Sequence, residues 1–530
     1  MKRDVKLLDC TLRDGGYIND WEFGHSVITG TYKRLENAGV DYIEVGFIDD
    51  RREFDINRTI VPNTDSFNII FEGINKKNAI PVAMIDFGTC DIRNIRDCSS
   101  TFIDGIRVIF KKEKIEEALP FCQEIKNKGY KLFIQAISVT AYTDIEMLNY
   151  VNQINKIKPD FFSIVDTYGL LNRSKLRNYF NLLNNNLDPE ISIGYHAHNN
   201  FQLAFSNTIS FFSFDTNRSV IADSTVYGMG KSAGNCPSEL IALHMNQMYE
   251  KKYDVNQFLE ILDTDLMIVY HKHYWGYKYN FYISAMQNCH PNYVQYLLDK
   301  KTLCVSSINE ILSDIPKEKK LQFDKSYIES AYLNYQSDKI DDKKDVGRLK
   351  GELANKKILL LGPGKSIALC GDAINSEINS EETISIAVNV EPKQYKCDYL
   401  FVSNAKRYSK LIDNKEYHYK LIVTSNITAF DRPADYILNF HSLLHDSYKK
   451  NYNALLLCLA FLKRIEVNEV SLAGFDGFSN AESDFYDASV SFFIESECAA
   501  DTNKKISEGL KYFSKTMKLN FITESLYNIF

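Results

Sequence analysis

The stretch "KLLDCTLRDGG", residues 6–16, begins as an apolar run typical of a buried strand and ends in an arginine, an aspartate and two glycines. The glycines fit a turn. A turn alone does not explain why Arg13 and Asp14 stand together where a strand ends. Since parallel α/β folds carry their functional side chains at the carboxyl ends of the strands, we ask which fold contains this strand and what else meets there.

The first half of the chain alternates short apolar runs with longer amphipathic stretches. The eight predicted strands cover residues 6–12, 41–47, 80–88, 102–110, 131–139, 161–169, 191–199 and 219–228. Their nearly continuous apolar character is expected of parallel strands that are buried on both faces. Eight such units over about 250 residues predict a TIM (β/α)8 barrel. A doubly wound sheet shows the same alternation and is the structural alternative, although it usually has fewer strands.

Composition divides the 530 residues into further regions. We assign the barrel to residues 1–255 and a helical extension of the barrel domain, without strand pattern, to residues 256–335. The charged run at 336–352 predicts an exposed linker. From residue 353 to 530, strands and helices alternate again, beginning with "KKILLLGPGKSI", which predicts a Rossmann-like α/β domain. Its five predicted strands cover residues 356–362, 383–390, 398–404, 420–426 and 467–475.

The overall composition restricts the class of function. The net charge of −7 argues against a protein that binds nucleic acid through phosphate contacts. No apolar run approaches the roughly 20 residues that span a bilayer, and the first residues lack the apolar core of a signal peptide. The 11 cysteines contain no CxxC pair, which favours reduced thiols. We therefore expect a cytoplasmic protein that acts on small molecules.

Polar side chains follow the first, seventh and eighth predicted strands, which are neighbours in a closed barrel. His196 and His198 lie two residues apart, so a strand presents both imidazoles on one face. Asp14 ends the first strand, and Asn235 follows the eighth in a glycine-rich turn. Two histidines, a carboxylate and an amide oxygen suit a divalent ion with open coordination positions. Two separately bonded core histidines, or the iron site of an oxygenase, are the alternatives, and the convergence of four groups favours the metal.

Three motifs, "DCTLRDG", "HAHNN" and "GMGKSAGN", resemble those of the DRE-TIM metallolyase (HMGL-like) superfamily, and the resemblance extends over about residues 5–300. This superfamily includes 3-hydroxy-3-methylglutaryl-CoA lyase, the isopropylmalate and homocitrate synthases, and 4-hydroxy-2-oxovalerate aldolase, the type that this chain resembles most. The resemblance implies metal ligands at Asp14, His196, His198 and Asn235, with Asn235 as a ligand or near-ligand. It also implies Mn²⁺ or Mg²⁺, with Zn²⁺, Co²⁺ or Fe²⁺ as alternatives, and Arg13 as the catalytic arginine.

The resemblance further implies chemistry next to a 2-oxo acid. Such an acid can chelate a metal, and cleavage of the adjacent carbon–carbon bond leaves an enolate. The metal and the Arg13 guanidinium would both stabilise the negative charge on its oxygen. We expect Thr11 to shape the end of the strand beside the substrate.

The sequence departs from the aldolases at the residue that should act as the base. Aldolases of this type have a histidine three residues after the motif aspartate, where this chain has Tyr17. A tyrosine, with a reference pKa of about 10, is a poor base. Either Tyr17 is a hydrogen-bonding group, or another residue acts as the base. Tyr279, in "WGYKYNFYIS", matches an active-site tyrosine of these aldolases, and packing within an aromatic stripe is its alternative role.

Other candidates at the strand ends carry a weaker signal. Asp166 and Asp223 could orient a histidine ligand or bind substrate hydroxyls. Arg107 could bind a substrate carboxylate, but the sequence favours an ion pair inside the barrel. Lys231 and Ser232 lie in a glycine-rich turn that could bind phosphate, but the full pattern of a P-loop is absent.

The second domain opens with a GxG turn that can bind a phosphate through backbone N–H groups. The candidate residues are Gly362, Gly364 and Ser366. The domain faintly resembles Rossmann-like domains of bacterial surface-glycan proteins, which implies a nucleotide or nucleotide-sugar ligand. Tight turning from strand to helix is the alternative explanation, because the third glycine and the ribose-binding acid are missing.

The sequence therefore predicts a divalent-metal-dependent aldolase or lyase that acts on a 2-oxo acid and an aldehyde, with no nucleic-acid or membrane partner. A homodimer formed through the barrel is left open. One alternative is a Claisen-type acyltransferase that uses acetyl-CoA. The glycine-rich loop lacks the cysteine of CoA-dependent lyases, and Gly16 and Tyr17 replace the acidic residue and glutamine of the condensing enzymes. The other alternative is an inactive barrel that serves as a binding module.

Overall fold

The computed structural model describes most of the chain, and its two compact units, residues 1–291 and 292–530, are considered separately. The described residues are 4–300, 303–336, 340–380, 382–411, 418–427, 433–445, 453–479, 485–486 and 496–527. The unit boundary is near residue 291, whereas the sequence assigned the helical extension up to residue 335 to the barrel domain; the finer domain bounds stay a prediction.

The first unit contains a closed parallel barrel. Its strands are β1 (Val5–Asp9), β2 (Tyr42–Ile48), β4 (Ile80–Asp86), β5 (Gly105–Ile109), β6 (Lys131–Ala136), β7 (Phe161–Asp166), β8 (Ser192–Ala197) and β9 (Val220–Ser224), and a short β3 (Ile60–Val61) pairs with β2. The barrel closes because β1 pairs in parallel with both β2 and β9. A doubly wound sheet would leave its outermost strands unclosed, so the TIM-barrel prediction is confirmed.

Helices alternate with the barrel strands. They are α1 (Gly16–Asn19), α2 (His25–Ala38), α3 (Asp65–Ile70), α4 (Ile115–Asn127), α5 (Asp144–Ile157), α6 (Arg173–Asn186), α7 (Ala204–Ser213), α8 (Ser238–Tyr249), α9 (Val255–Ile261), α10 (Met267–Lys272) and α11 (Tyr279–Met286). The residues at the helix termini determine where several of these helices begin and end. Helix α2 ends at Gly39, whose φ of 80° is a left-handed conformation that favours glycine. Helix α5 begins with a capping box in which Thr143 and Glu146 satisfy each other's backbone N–H groups.

The barrel interior has an apolar lower layer and a polar upper layer. Leu8, Tyr42, Phe133, Phe161 and Ile221 belong to one buried apolar cluster on the inward faces of the strands. Because every second residue of a strand faces inward, the next inward positions towards the carboxyl ends hold charged and polar side chains. These are Glu44, Arg107, Gln135, Ser163, His196 and Asp223, each buried. The sequence thus positions a polar site at one end of an otherwise apolar barrel.

The second unit is an α/β domain built on a parallel sheet. Its strands are β10 (Lys357–Leu361), β11 (Thr383–Val388), β12 (Tyr399–Val402), β13 (Lys420–Thr424), β14 (Tyr436–Leu438), β15 (Glu469–Ala473) and β16 (Lys518–Phe521), in the order β14-β13-β12-β11-β10-β15-β16. The helices from residue 291 onward are α12 (Pro291–Asp299), α13 (Val305–Ser313), α14 (Lys317–Lys320), α15 (Lys325–Gln336), α16 (Lys343–Leu353), α17 (Ser366–Leu369), α18 (Gly371–Ile378), α19 (Ala405–Leu411), α20 (Ala454–Arg464) and α21 (Ser496–Ser514). The parallel sheet agrees with the Rossmann-like prediction.

The charged segment predicted as an exposed linker differs from that expectation. Residues 343–352 of it belong to α16, and residues 337–339 lie outside the described residues. Leu349 and Leu353 are fully buried in the core of the second unit. Lys343, Lys344 and Arg348 lie on the exposed face of this amphipathic helix, and a count of charges alone cannot distinguish such a helix from a linker.

Within the described residues, we find no helix that is both long and apolar enough to cross a membrane.

Candidate metal centre at the carboxyl end of the barrel

Arg13 and Asp14 lie in the turn that follows β1, and both are buried. The turn is held by the indole N–H of Trp21, which donates to the Arg13 carbonyl at 2.7 Å. The Arg13 guanidinium donates to the Asp14 carboxylate at 2.6 Å and to the Glu44 carboxylate at 2.7 Å. Burial alone would raise the pKa of Asp14, but the Arg13 charge and the neighbouring histidines hold it well below its usual range. Asp14 is therefore an anionic ligand candidate at neutral pH.

His196 and His198 project from the end of β8 toward Asp14. The two rings lie 5.0 Å apart between centroids, and His196 Nε2 is 3.4 Å from Asp14 Oδ2. His196 Nδ1 is 2.9 Å from Asp223 Oδ2, so Asp223 fixes the ring with Nδ1–H donating and Nε2 directed to Asp14. Burial lowers the pKa of His198 to about 3, which keeps its imidazole neutral.

Asn235 reaches Asp14 from the loop after β9. Its amide Nδ2–H donates to Asp14 Oδ1 at 3.0 Å, and the backbone N–H of Lys231 donates to the same oxygen at 3.0 Å. Gly230 permits this approach, because a Cβ there would lie 2.0 Å from Asn235 Nδ2 and 2.6 Å from Asp14 Oδ1. A glycine is thus required beside the ligand candidates.

The donor set fits a divalent cation. Ligand atoms of Asp14, His196 and His198 all lie within 4.8 Å of one another. His198 Nδ1 and Asn235 Oδ1 are buried and have no hydrogen-bond partner among the described residues. Buried polar atoms are rarely left unpaired, so a neutral imidazole and an amide oxygen in that state beside a carboxylate match the ligand preferences of such an ion. The structure brings together all four side chains that the sequence proposed as ligands.

Glu44 is the functional candidate that the sequence reasoning missed. It is fully buried in β2, and its Oε2 accepts from both Arg13, at 2.7 Å, and Arg107, at 2.9 Å. The available signal was a single carboxylate in the apolar strand "DYIEVGF", where an unpaired charge would be costly. Glu44 holds the two arginines in place.

Arg107 lies inside the barrel rather than at its mouth. It is 1% exposed, and its guanidinium pairs with Glu44 and with Asp223. Because Asp223 in turn bonds to His196, Arg107 connects the ligand set to the barrel interior. The structure therefore agrees with the internal ion pair that the sequence favoured, rather than with the binding of a substrate carboxylate.

Thr11 and Asp166 have structural contacts at the strand ends. The Thr11 hydroxyl accepts from the N–H of Val226 at 2.8 Å, which ties the turn after β1 to the loop after β9. The Asp166 carboxylate accepts from the N–H groups of Leu170 and Leu171, at 2.8 and 3.0 Å. These bonds shape the loops around the site and account for the residues' position without a substrate.

The two predicted tyrosines differ in position. Tyr17 packs on Trp21, with ring centroids 4.7 Å apart, and the Lys231 ammonium lies 5.4 Å from its ring. Loss of water around the Tyr17 hydroxyl raises its pKa to about 12, so it stays protonated at neutral pH. Tyr279 begins α11 and is 53% exposed, and no described contact joins it to the ligand set.

The GxG turn of the second unit already binds a carboxylate of the chain. The N–H of Ser366 donates to Asp476 at 2.8 Å, and its hydroxyl donates to the same carboxylate. Gly362 and Gly364 continue the backbone pairing with the segment after β15 through bonds to Ala473 and Gly474, at 2.8 and 2.7 Å. A phosphate would have to displace Asp476, so the structure favours a tight strand-to-helix turn.

Comparison with known proteins agrees with the barrel and its motifs. Residues 4–264 match the HMGL-like family. Oxaloacetate decarboxylase of Mycobacterium tuberculosis is 22% identical over 280 residues, 50% of this chain and 77% of that protein. 4-Hydroxy-2-oxovalerate aldolase 6 of Rhodococcus jostii is 21% identical over 250 residues, which are 47% of this chain and 69% of that protein. (R)-Citramalate synthase CimA of Methanocaldococcus jannaschii is 26% identical over 275 residues, which are 49% of this chain and 53% of that protein.

The closed barrel with its polar carboxyl end is a TIM barrel, and its sequence is similar to those of lyases and synthases. The match of residues 4–264 to the HMGL-like family model covers this barrel and agrees with the resemblance that the motifs predicted.

Proposed function

We propose that the barrel is a divalent-metal-dependent lyase or aldolase that makes or breaks a carbon–carbon bond next to a 2-oxo acid. The observation that carries the proposal is the cluster of Asp14, His196 and His198, with unpartnered His198 Nδ1 and Asn235 Oδ1 beside the buried Arg13. Relatives whose names state decarboxylation of oxaloacetate and an aldolase activity support the same reaction class.

Asp14, His196 and His198 would hold the ion, with Asn235 Oδ1 as a further donor. Such an ion would supply Lewis-acid chemistry for the carbonyl oxygen of a 2-oxo acid, and Mn²⁺ and Mg²⁺ are the first ions to test. The protein contributes an Arg13 guanidinium that is fixed by Glu44 and Asp14 before any substrate arrives. Because this guanidinium is already in position, it need not move to stabilise the negative charge that would develop on the enolate oxygen.

The buried charges near the site support an anionic substrate. When His196 and His198 are neutral, as metal-ligating imidazoles are, the ion-paired Arg13 and Arg107 guanidiniums and Asp14, Glu44 and Asp223 carboxylates carry one net negative charge. A divalent cation would change this to one net positive charge. A 2-oxo acid carries one carboxylate, so its binding would neutralise the buried group, and a buried charge is stable only when it is compensated.

Acyl transfer from acetyl-CoA is the second candidate, since a citramalate synthase is among the relatives. It predicts free thiol when acetyl-CoA and a 2-oxo acid are supplied together, whereas the aldolase or lyase reaction releases none. The absence of a cysteine from "GMGKSAGN" and the Gly16–Tyr17 pair favour the lyase.

The proposal can be tested without knowing the second substrate. An enzyme that stabilises the pyruvate enolate should exchange the pyruvate methyl protons with D2O, and proton NMR measures this exchange directly. We expect exchange with added Mn²⁺ or Mg²⁺, loss of at least about 100-fold in Arg13→Ala, and bound metal near one ion per chain that is lost in the His196→Ala, His198→Ala double variant.

An exposed arginine provides the matched control for these measurements. Arg173→Ala removes a guanidinium from the surface of α6 and should leave exchange and metal content unchanged. Full metal content in the double histidine variant would overturn the metal site. Exchange that is equally fast with and without the protein would overturn the enolate chemistry.

A further inference from the structure

A cleft of about 470 Å³ opens at the carboxyl end of the barrel, the end that also carries the candidate metal centre. Thr140 follows β6, Leu170 follows β7, and Phe201 follows β8, so the cleft lies over the carboxyl ends of three consecutive strands. Helices α5 and α6 contribute Asp144, Lys175, Asn178 and Tyr179, and the α11 segment contributes Met286. A volume of this size suits a small organic molecule rather than a macromolecule.

Short backbone connections join the cleft to the candidate ligands. The N–H of Leu170 donates to the Asp166 carboxylate at 2.8 Å, and the N–H of His198 donates to the Asp166 carbonyl at 3.3 Å. Phe201 is three residues beyond His198 in the chain. A molecule in the cleft would therefore lie over the same loops that hold the ligand set.

The polar side chains of the cleft are not used by the protein itself. Among the described residues, Lys175 and Asp144 form no ion pair, and the side chains of Asn178, Tyr179 and Thr140 form no hydrogen bond. Together they provide an ammonium, a carboxylate, an amide and two hydroxyls around one cavity. The lining has no net charge, because Lys175 and Asp144 compensate each other.

An aromatic surface completes the lining. The ring of Phe201 lines the cleft and contacts the Tyr282 ring, with centroids 5.9 Å apart and a T-shaped arrangement. Met286 also lines the cleft. A ligand with hydroxyls on one side and C–H groups on the other would satisfy both the polar and the apolar part of this surface.

We propose that this cleft binds the carbonyl substrate of the reaction and that this substrate is an uncharged, polyhydroxylated aldehyde, an open-chain sugar or a fragment of one. The inference rests on the proposed function, because it assigns the second substrate of the same site. In the reaction, the methyl carbon of pyruvate loses a proton and forms the new carbon–carbon bond with the aldehyde carbon. The aldehyde oxygen takes up one proton and becomes a hydroxyl, so atoms and charge balance.

The test compares aldehydes with and without hydroxyls. Product formation from pyruvate is measured with glyceraldehyde and erythrose on one side and propanal and butanal on the other. We expect kcat/KM to be at least about tenfold higher for the hydroxylated pair. In Lys175→Ala, Asn178→Ala this advantage should disappear through a higher KM, with values for propanal unchanged.

Two neighbouring substitutions are the matched controls. Arg173→Ala, Asn181→Ala removes the same kinds of side chain from α6 at exposed positions that do not line the cleft, and it should retain the wild-type preference. Equal activity on both classes of aldehyde in the wild type, or an equal loss on both classes in the cleft variant, would overturn the inference.

Proton exchange separates this inference from the proposed function. Exchange of pyruvate protons without any aldehyde should be the same in the wild type and in the cleft variant. If the wild type shows no exchange, the proposed function fails and the cleft assignment with it. If exchange is normal but saturation-transfer NMR shows no binding of erythritol, a non-reacting polyol, only the cleft assignment fails.

Discussion

At the scale of single residues, Tyr17 is the position at which the chain differs from the aldolases that it resembles. Its ring contacts the Trp21 indole and lies near the Lys231 ammonium, which gives the residue a packing role. Its hydroxyl has a pKa raised to about 12 by the loss of water around it, so the phenolate that could act as a base is scarce at neutral pH. Tyr17 therefore contributes ring packing, and its protonated hydroxyl is suited to donate a hydrogen bond rather than to act as a base.

Tyr17→Phe should keep most of the activity. A hydroxyl that only donates a hydrogen bond contributes about 0.5–1.5 kcal/mol, which corresponds to a loss of no more than about tenfold. Rates of pyruvate proton exchange and of product formation measure the change, with Arg13→Ala as the inactive reference. A loss of more than about 100-fold would show that Tyr17 acts as the base.

Gly230 sets the geometry of the ligand set through the absence of a side chain. Gly230→Ala places a Cβ 2.0 Å from Asn235 Nδ2, so Asn235 and Asp14 must move apart. We expect the metal content to fall well below that of the wild type. Gly30→Ala in α2 is the control, because its Cβ meets only the flexible end of Arg34, at 3.3 Å. Unchanged metal content in Gly230→Ala would contradict the assigned ligand geometry.

At the scale of elements, α16 shows how a charged segment can be a core helix. Its leucines at positions 349 and 353 are four residues apart and lie on one face, and both are fully buried. Glu352 of the same helix accepts hydrogen bonds from Tyr436 and Lys420, at 2.6 and 2.7 Å. The helix is therefore anchored to the second unit's sheet by both apolar and polar contacts.

Leu353→Ala should destabilise the second unit by about 2–5 kcal/mol, since it leaves a cavity in a packed core. Urea unfolding followed by circular dichroism measures the change. Lys344→Ala, at an exposed position of the same helix, should alter the stability by less than about 0.5 kcal/mol. Equal stability of the two variants would restore the exposed-linker prediction.

At the scale of the whole molecule, the barrel buries ionisable groups that its fold must compensate. Asp9, at the end of β1, is fully buried and accepts from the N–H of Thr11 at 2.9 Å and from the Ser238 hydroxyl at 2.6 Å. Burial raises its pKa to about 6 from a usual value of 3.8, and these hydrogen bonds offset only part of the effect. The folded barrel therefore binds a proton at Asp9 more readily than the unfolded chain does.

This linkage makes the stability of the barrel depend on pH. The stabilising contribution of protonated Asp9 is complete below about pH 4 and is lost as the pH rises through about 6. Asp9→Asn has no such loss, so its free energy of unfolding relative to the wild type should increase by up to about 3 kcal/mol between pH 4 and pH 7.

Tryptophan fluorescence can follow this change in the barrel alone. Both tryptophans of the chain, Trp21 and Trp275, lie in the first unit, so urea unfolding at several pH values reports on that unit. Glu116→Gln, on the exposed surface of α4, serves as the control. A difference between Asp9→Asn and the wild type that is constant with pH would contradict the prediction.

The strands that the sequence missed lie at the edges of the sheets. β14 and β16 are the two outer strands of the second unit's sheet, and the short β3 lies beside β2. An edge strand needs a neighbour on one side only, so it can be short and less apolar, and its sequence pattern is weak. The inner strands of both units are buried on two sides. Their sequences are therefore nearly continuous apolar runs, which predict strands.

The sequence by itself determined the barrel, its eight strands and the four ligand candidates, because the apolar period and the motifs are local in the chain. Only the tertiary structure decided that Glu44 joins Arg13 to Arg107, that Asp223 orients His196, and that Asp476 fills the GxG turn. Each of these contacts joins residues that are 27 to 110 positions apart in the chain. Their pairing depends on how the strands close and how buried charges are compensated, which no local pattern records.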